Sequence, residues 1–201
     1  MIEFKNVKYT YFSKFYTLFD FSYKFDAGNY CLLGDNIGGP LSLIRLLAKL
    51  DTYYKGEILI DNINIKKVNY KKDFSVGYIS ATPGFFENKT VLENVAYPLK
   101  SRGIKKQERL NIALVTLSNW GWRDKANLKV KDLTNSDKLI LSLIRVSVRK
   151  LDLLLCENIF DKISPTVLDK ISATSKIVVG NDVVGFDNYT PLIFGSGNIK
   201  D

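Results

Sequence analysis

The period of apolar and polar positions changes along the chain. Ile2-Glu-Phe-Lys-Asn-Val7 and Phe21-Ser-Tyr-Lys-Phe25 alternate as half-buried strands do. Asp26-Ala-Gly28 reads as a turn, and Tyr30-Cys-Leu-Leu33 as a short apolar strand. After the glycine-rich stretch Gly34–Gly39, the spacing of Leu43, Leu46, Leu47 and Leu50 predicts a helix over Leu41–Leu50, with Pro40 in its first turn. Glu57–Ile60 predicts a strand entering a turn at Asp61-Asn62, and Val76–Ile79 another strand. From Thr90 to Lys150 the period becomes helical. Thr90 followed by Glu93 forms a capping box for Val91–Lys100, and further helices are expected over Lys105–Ser118 and Asp137–Lys150. Strands return at Leu153–Leu155, Lys176–Val179 and Leu192–Phe194 as unalternating apolar runs, the mark of a sheet covered on both faces. The order predicts an α/β fold: a mixed sheet core interrupted by a helical insertion.

Composition narrows the class. With 201 residues, 46% hydrophobic and 25% charged, the chain reads as one domain able to bury a core. The expected division is a core of 1–87 and 151–201 with a helical part over 88–150. No apolar run approaches the roughly 18 residues of a membrane helix. The opening Met1-Ile-Glu-Phe-Lys lacks a secretory stretch, so a cytoplasmic location is expected. Cys31 and Cys156 sit in apolar runs and read as buried thiols. There is no histidine, which excludes imidazole chemistry and any Cys/His zinc cluster; no metal site is expected. The net charge of +8 favours anionic partners in general. The lysines, however, are scattered pairs such as Lys66-Lys67, Lys71-Lys72 and Lys105-Lys106, and no nucleic-acid readout motif accompanies them.

A strand, a glycine-rich turn and a helix suggest phosphate binding. Gly34 and Gly39 fall on the glycines of the pattern G-x-x-x-x-G-K-[ST], but Pro40 and Leu41 occupy its lysine and hydroxyl positions. Judged alone, the match fails.

The surroundings change that reading. Asp26–Gly34 and Leu46–Leu50 resemble the flanks of the phosphate loop in ATP-binding cassette (ABC) transporter ATPases. Tyr54–Asp61 is similar to the family's next strand and turn, and Val76–Ala81 to its Q-loop strand. Thr90–Leu99 is similar to the start of its helical subdomain. Asp132–Asp137 sits at the signature motif, Leu151–Glu157 at the Walker B strand and Val178–Asp182 at the switch-histidine strand. The resemblance covers nearly the whole chain, and the order of these landmarks is more specific than any one of them. It implies an ABC ATPase fold of the P-loop NTPase type.

The same resemblance implies a degenerate site. The family's phosphate-binding lysine is replaced by Pro40; its magnesium-binding hydroxyl is lost at Leu41, with Ser42 one residue away. Ala81 stands at the Q-loop glutamine, Cys156 at the Walker B aspartate and Asn181 at the switch histidine. Glu157 remains at the general-base position and Tyr11 at an adenine-stacking position. Gly34, Gly38 and Gly39 keep a backbone cradle in which weak ATP or ADP binding stays open, without magnesium. At the signature, Thr134 keeps a hydroxyl, Asn135 and Ser136 replace glycines, and Asp137 brings negative charge toward an arriving triphosphate. Asp161 is the nearest candidate for the D-loop. The family's groove for a membrane subunit maps to Pro83, Phe85, Phe86, Val91, Val95 and Tyr97.

The expectation is therefore a pseudo-ATPase. It docks as scaffold or regulator on an integral membrane subunit at the inner face of the membrane and hydrolyses little or no ATP itself, although whether it is an enzyme stays open. The alternative is a nucleotide-binding energising subunit beside a second, competent ABC ATPase. No nucleic-acid partner is expected.

Overall fold

The structure, a computed structural model, describes residues 1–10, 17–34, 38–195 and 198–199. The first layer is antiparallel. Strands β1 (Ile2–Tyr9), β2 (Leu18–Phe25), β4 (Lys55–Ile60) and β5 (Ile63–Asn64) form a sheet of order β2-β1-β4-β5. In β1 the buried residues are Ile2, Phe4, Val7 and Tyr9. The phase slips because Asn6 takes a left-handed φ of 50° and forms a bulge, tied to β2 by its amide donating to Ser22 Oγ at 2.9 Å. Gly56, with φ 89°, packs against this bulge so closely that a Cβ there would collide with the carbonyl oxygens of Lys5 and Asn6. The Asp61-Asn62 turn joins β4 to β5 with both residues at positive φ, as the twist of a two-residue hairpin demands.

The second sheet contains β3 (Asn29–Gly34), β6 (Val76–Ile79), β7 (Leu151–Cys156), β8 (Ala173–Val179), β9 (Thr190–Gly195) and β10 (Asn198–Ile199). Its order is β10-β9-β3-β8-β7-β6, parallel except for β10. Both faces of its centre are covered. Leu32, Leu153, Leu155, Ile177 and Val179 join the core shared with the antiparallel sheet and helix α1 (Gly38–Leu47). Cys31, Leu154, Cys156 and Val178 point into a second core that includes Leu139 and Leu143. The unalternating runs predicted this for β7 and β8. β9 departs from it: Ile193 is 50% exposed, because only one face of this strand is covered there.

A third core belongs to the helices α2 (Val91–Lys100), α3 (Lys106–Asn119) and α4 (Asn135–Ser147). The capping box at Thr90 is present: its Oγ1 accepts from the Glu93 amide at 3.1 Å while the Glu93 carboxylate accepts from the Thr90 amide at 3.0 Å. Helix boundaries differ from expectation, and α4 also ends three residues early, at Ser147 instead of Lys150. α1 spans Gly38–Leu47 instead of Leu41–Leu50. Lys49 turns left-handed with φ 56° and the Leu50 amide closes onto the Arg45 carbonyl, so the helix stops and Leu50 is exposed. α4 starts at Asn135, two residues before the expected Asp137, because Thr134 caps it.

Among the described residues no helix is long and apolar enough to cross a membrane. Nor does any group of at least three His, Cys, Asp or Glu side chains there suit a metal ion.

Candidate functional site

In a parallel sheet ligand sites form beyond the carboxyl ends of the strands. Here β3 ends at Gly34, β6 at Ile79, β7 at Cys156 and β8 at Val179. The pairing of Ile79 with Cys156 and of Cys156 with Val178 brings Ala81, Glu157 and Asn181 to one edge. Helix α1 begins at the same edge, after β3. Tyr11 and the loop residues Asp35–Ile37 lie outside the described residues.

The start of α1 is built for packing. A Cβ on Gly39 would meet the Phe194 ring at 3.2 Å and the Thr17 carbonyl at 3.3 Å, so glycine lets the helix press onto β9 and β2. Phe194 in turn stacks on Phe21 at 5.6 Å, joining the two sheets. Pro40 is buried in the first turn. Ser42 does not compensate for Leu41: it is 3% exposed, and its hydroxyl donates to Thr17 Oγ1 at 3.1 Å, which donates in turn to the Tyr9 carbonyl. That side chain is committed to the joint between α1 and β2.

Glu157 is the best-defined polar group at the edge. Its Oε1 accepts a short hydrogen bond from the Tyr78 hydroxyl. Its Oε2 accepts from Ser80 Oγ at 3.0 Å and from the backbone amide of Ala81 at 2.7 Å, while the Glu157 amide donates to the Ile79 carbonyl at 2.9 Å. Burial pushes the Tyr78 hydroxyl pKa up, and its hydrogen bond to the adjacent carboxylate adds to the rise. The carboxylate staples the end of β7 to the end of β6, and donors take up both of its oxygens. Ala81, expected at the Q-loop position, takes part through its backbone.

Cys156 is completely buried, with its Sγ 3.3 Å from the Glu157 carbonyl oxygen, and burial pushes its thiol pKa up. A thiol enclosed in this way offers no thiolate to a hard cation such as magnesium. Asn181 Oδ1 accepts from Asn158 Nδ2 at 2.7 Å. Asn158 was not anticipated from the sequence, although its place directly after Glu157 was a usable signal.

At the signature position the structure corrects the electrostatic expectation. Thr134 Oγ1 accepts from the Asp137 amide at 3.1 Å and donates to Asp137 Oδ2 at 2.9 Å. Lys125 pairs with Asp137 Oδ1 at 2.8 Å. The hydrogen bond from Lys125, with the Thr134 contacts, holds the Asp137 carboxyl below its ordinary value. Its charge is neutralised within the helical part and is not presented bare to an arriving anion. Asn135 and Ser136 form the first turn of α4.

The proposed docking residues divide in two. Phe86 and Tyr97 are 48% and 50% exposed, with ring centroids 4.5 Å apart, and form one outward aromatic pair. Phe85 is half-buried beneath the Arg145 guanidinium, 4.3 Å from the ring centroid, and Arg145 also donates to the Gly84 carbonyl at 2.8 Å. Val91 and Val95 are fully buried in the helical core, so they cannot line an outward groove: their positions on α2 face α3 and α4. Pro83 is half-buried. Sequence reasoning missed Asn94. It is 1% exposed and grips the preceding loop, accepting from the Phe86 amide at 3.0 Å and donating to the Phe86 and Thr90 carbonyls at 3.1 and 2.9 Å. A polar residue on the buried face of an amphipathic helix was the available signal.

The family model described as ABC transporter matches residues 18–160. The chain belongs to the ABC transporter family. A putative ABC transporter ATP-binding protein of Clostridium tetani is 32% identical over 141 residues, covering 69% of this chain and 32% of that protein. The methionine import ATP-binding protein MetN of Clostridioides difficile is 29% identical over 176 residues, 85% of this chain and 54% of that protein. The chain thus spans about a third to a half of these curated relatives. Among solved structures, the ATP-binding cassette MJ0796, a dimer in a post-hydrolysis state bound to ADP and Pi, superimposes with a TM-score of 0.84. It shares 20% identity, with 100% of this chain and 97% of that chain covered, a likeness of fold.

Proposed function

We propose that this chain is an ABC cassette that has kept the family fold while losing its phosphoryl-transfer chemistry, and that it docks as a scaffold or regulator on an integral membrane protein at the inner face of the membrane. The observation that carries this reading is Glu157. A general base needs a lone pair directed at water, and three of the roughly four lone-pair sites of this carboxylate are occupied by Tyr78, Ser80 and the Ala81 amide. Pro40 supplies no cation, and Cys156 is enclosed.

Phosphoryl transfer depends almost wholly on positioning and charge neutralisation. Removing one electrostatic donor typically costs about 2.7–4 kcal/mol of the barrier. The losses here do not add linearly, yet they amount to a decrease of roughly 10⁴-fold or more in hydrolysis. ADP or ATP held weakly at the backbone of the α1 N-terminus, without magnesium, is compatible with this reading. The retained Phe86–Tyr97 pair, clamped from beneath by Asn94, supplies the docking surface.

The second reading is an energising subunit paired with a competent ATPase. It draws on the relatives, whose names are those of transporter ATP-binding proteins. Purification from native membranes with an affinity tag, followed by nucleotide-binding and ATPase assays on the intact complex, separates the two. The first reading expects a co-purifying membrane protein, its loss on changing both Phe86 and Tyr97 to Ser, and no turnover attributable to this chain. Tight binding of magnesium and a non-hydrolysable ATP analogue beside Pro40 and Cys156 would overturn it.

A further inference from the structure

We propose that Arg102 and Arg149 form an oxyanion site, suited to a phosphate group, at the end of the parallel sheet opposite the candidate nucleotide edge. Ser75 lies just before β6, and its Oγ accepts two hydrogen bonds at once: from Arg102 Nη2 at 2.9 Å and from Arg149 Nε at 3.1 Å. The Arg149 Nη2 also donates to the Val76 carbonyl at 3.1 Å. Two guanidinium groups thus converge on a single neutral hydroxyl.

Among the described residues neither arginine forms an ion pair with a carboxylate. Asp152 spends its Oδ2 on the Ser75 amide at 2.6 Å. Burial, and after it the like charge of Arg102, depresses the Arg149 pKa. Arg102 is exposed, so the pair is open on one side, and Lys71, Lys72, Lys100 and Lys150 are exposed on the flanking segments.

Guanidinium groups bind phosphate through paired N–H donors in a fixed fork, and an anion between two of them relieves their repulsion as well as adding hydrogen bonds. The site draws on the turn after α2, the segment after α4 and the start of β6, so an anion there would tie the helical part to the sheet. The shared ligand chemistry is a phosphate group, which a free phosphate or a lipid headgroup could bring.

The test is thermal unfolding of the chain in low-salt buffer, titrated with inorganic phosphate against chloride at matched ionic strength, for the wild type and for Arg102→Gln. Arg102 is exposed, so the variant is expected to fold. Phosphate should raise the wild-type Tm progressively by mass action, and Arg102→Gln should abolish the rise. Co-sedimentation with phosphatidylglycerol vesicles, lost in the variant, would assign the phosphate to lipid. A phosphate-dependent rise without sedimentation would assign it to a free ligand. An equal rise in both proteins, as from an ion held only at α1, or no rise at all, overturns the site and leaves the reading of Glu157 untouched.

Discussion

Glu157→Gln gives the sharpest test of the site's chemistry, because its sign depends on what the carboxylate does. If Glu157 were a base waiting in an open cleft, its amide would change stability little or raise it, as removal of strained catalytic charge often does. In this structure the carboxylate accepts from Tyr78, Ser80 and the Ala81 amide. Hydrogen bonds to a charged group are each worth about 1.5–3 kcal/mol net. Glutamine keeps one acceptor oxygen but turns an NH₂ group toward remaining donors, so a loss of about 2–4 kcal/mol is expected. For a chain of this size that corresponds to a fall in Tm of roughly 4–16 °C. Urea titration should show a lower midpoint with an unchanged slope. Tyr78→Phe should be coupled to it, with a double-mutant interaction energy above about 1 kcal/mol. If Glu157→Gln unfolds within about 0.5 kcal/mol of the wild type, the staple is not there and Glu157 is free to act as a base.

Other outcomes follow from the same structure. Gly56→Ala should destabilise the antiparallel sheet by more than about 2 kcal/mol, because it combines a φ of 89° with backbone oxygens of Lys5 and Asn6 in the way; urea titration reads this directly. Asp137 has a folded pKa held below its ordinary 3.8, so the stability it contributes is present above that value and disappears as pH falls through the lowered one. Asp137→Asn should therefore flatten the acid limb of the stability curve below about pH 4 and leave the neutral-to-alkaline dependence alone. Burial pushes the Cys31 thiol up to about 12 and raises that of Cys156, so both should resist a disulfide reagent in the native state and react together only on unfolding. Fast labelling of either thiol under native conditions would contradict that burial.

The local elements and their order are legible from neighbouring residues in the chain. Val76–Ile79 is a strand because its apolar run has no helical period and is bounded by polar turns. Thr90 and Glu93 start α2 because both caps lie within one turn of chain. Asp61-Asn62 reverses the chain because these residue types tolerate positive φ. Each rests on interactions between residues a few positions apart. The family resemblance rested on that order too.

Tertiary structure decided what the polar residues at the edge are for. Glu157 reads identically in sequence as a base or as a staple; the difference lies in Tyr78, Ser80 and Ala81, which sit 76–79 positions earlier and reach it only because β6 pairs with β7. Val91 and Tyr97 share one helix, yet packing of α3 and α4 buries the first and leaves the second in solvent. Asp137 had a charge in the sequence and a neutralising Lys125 only in the fold. Chain pattern sets which face of an element is apolar, but the partner each face meets follows from long-range pairing, and that pairing fixes the environment on which hydrogen-bond capacity and pKa depend.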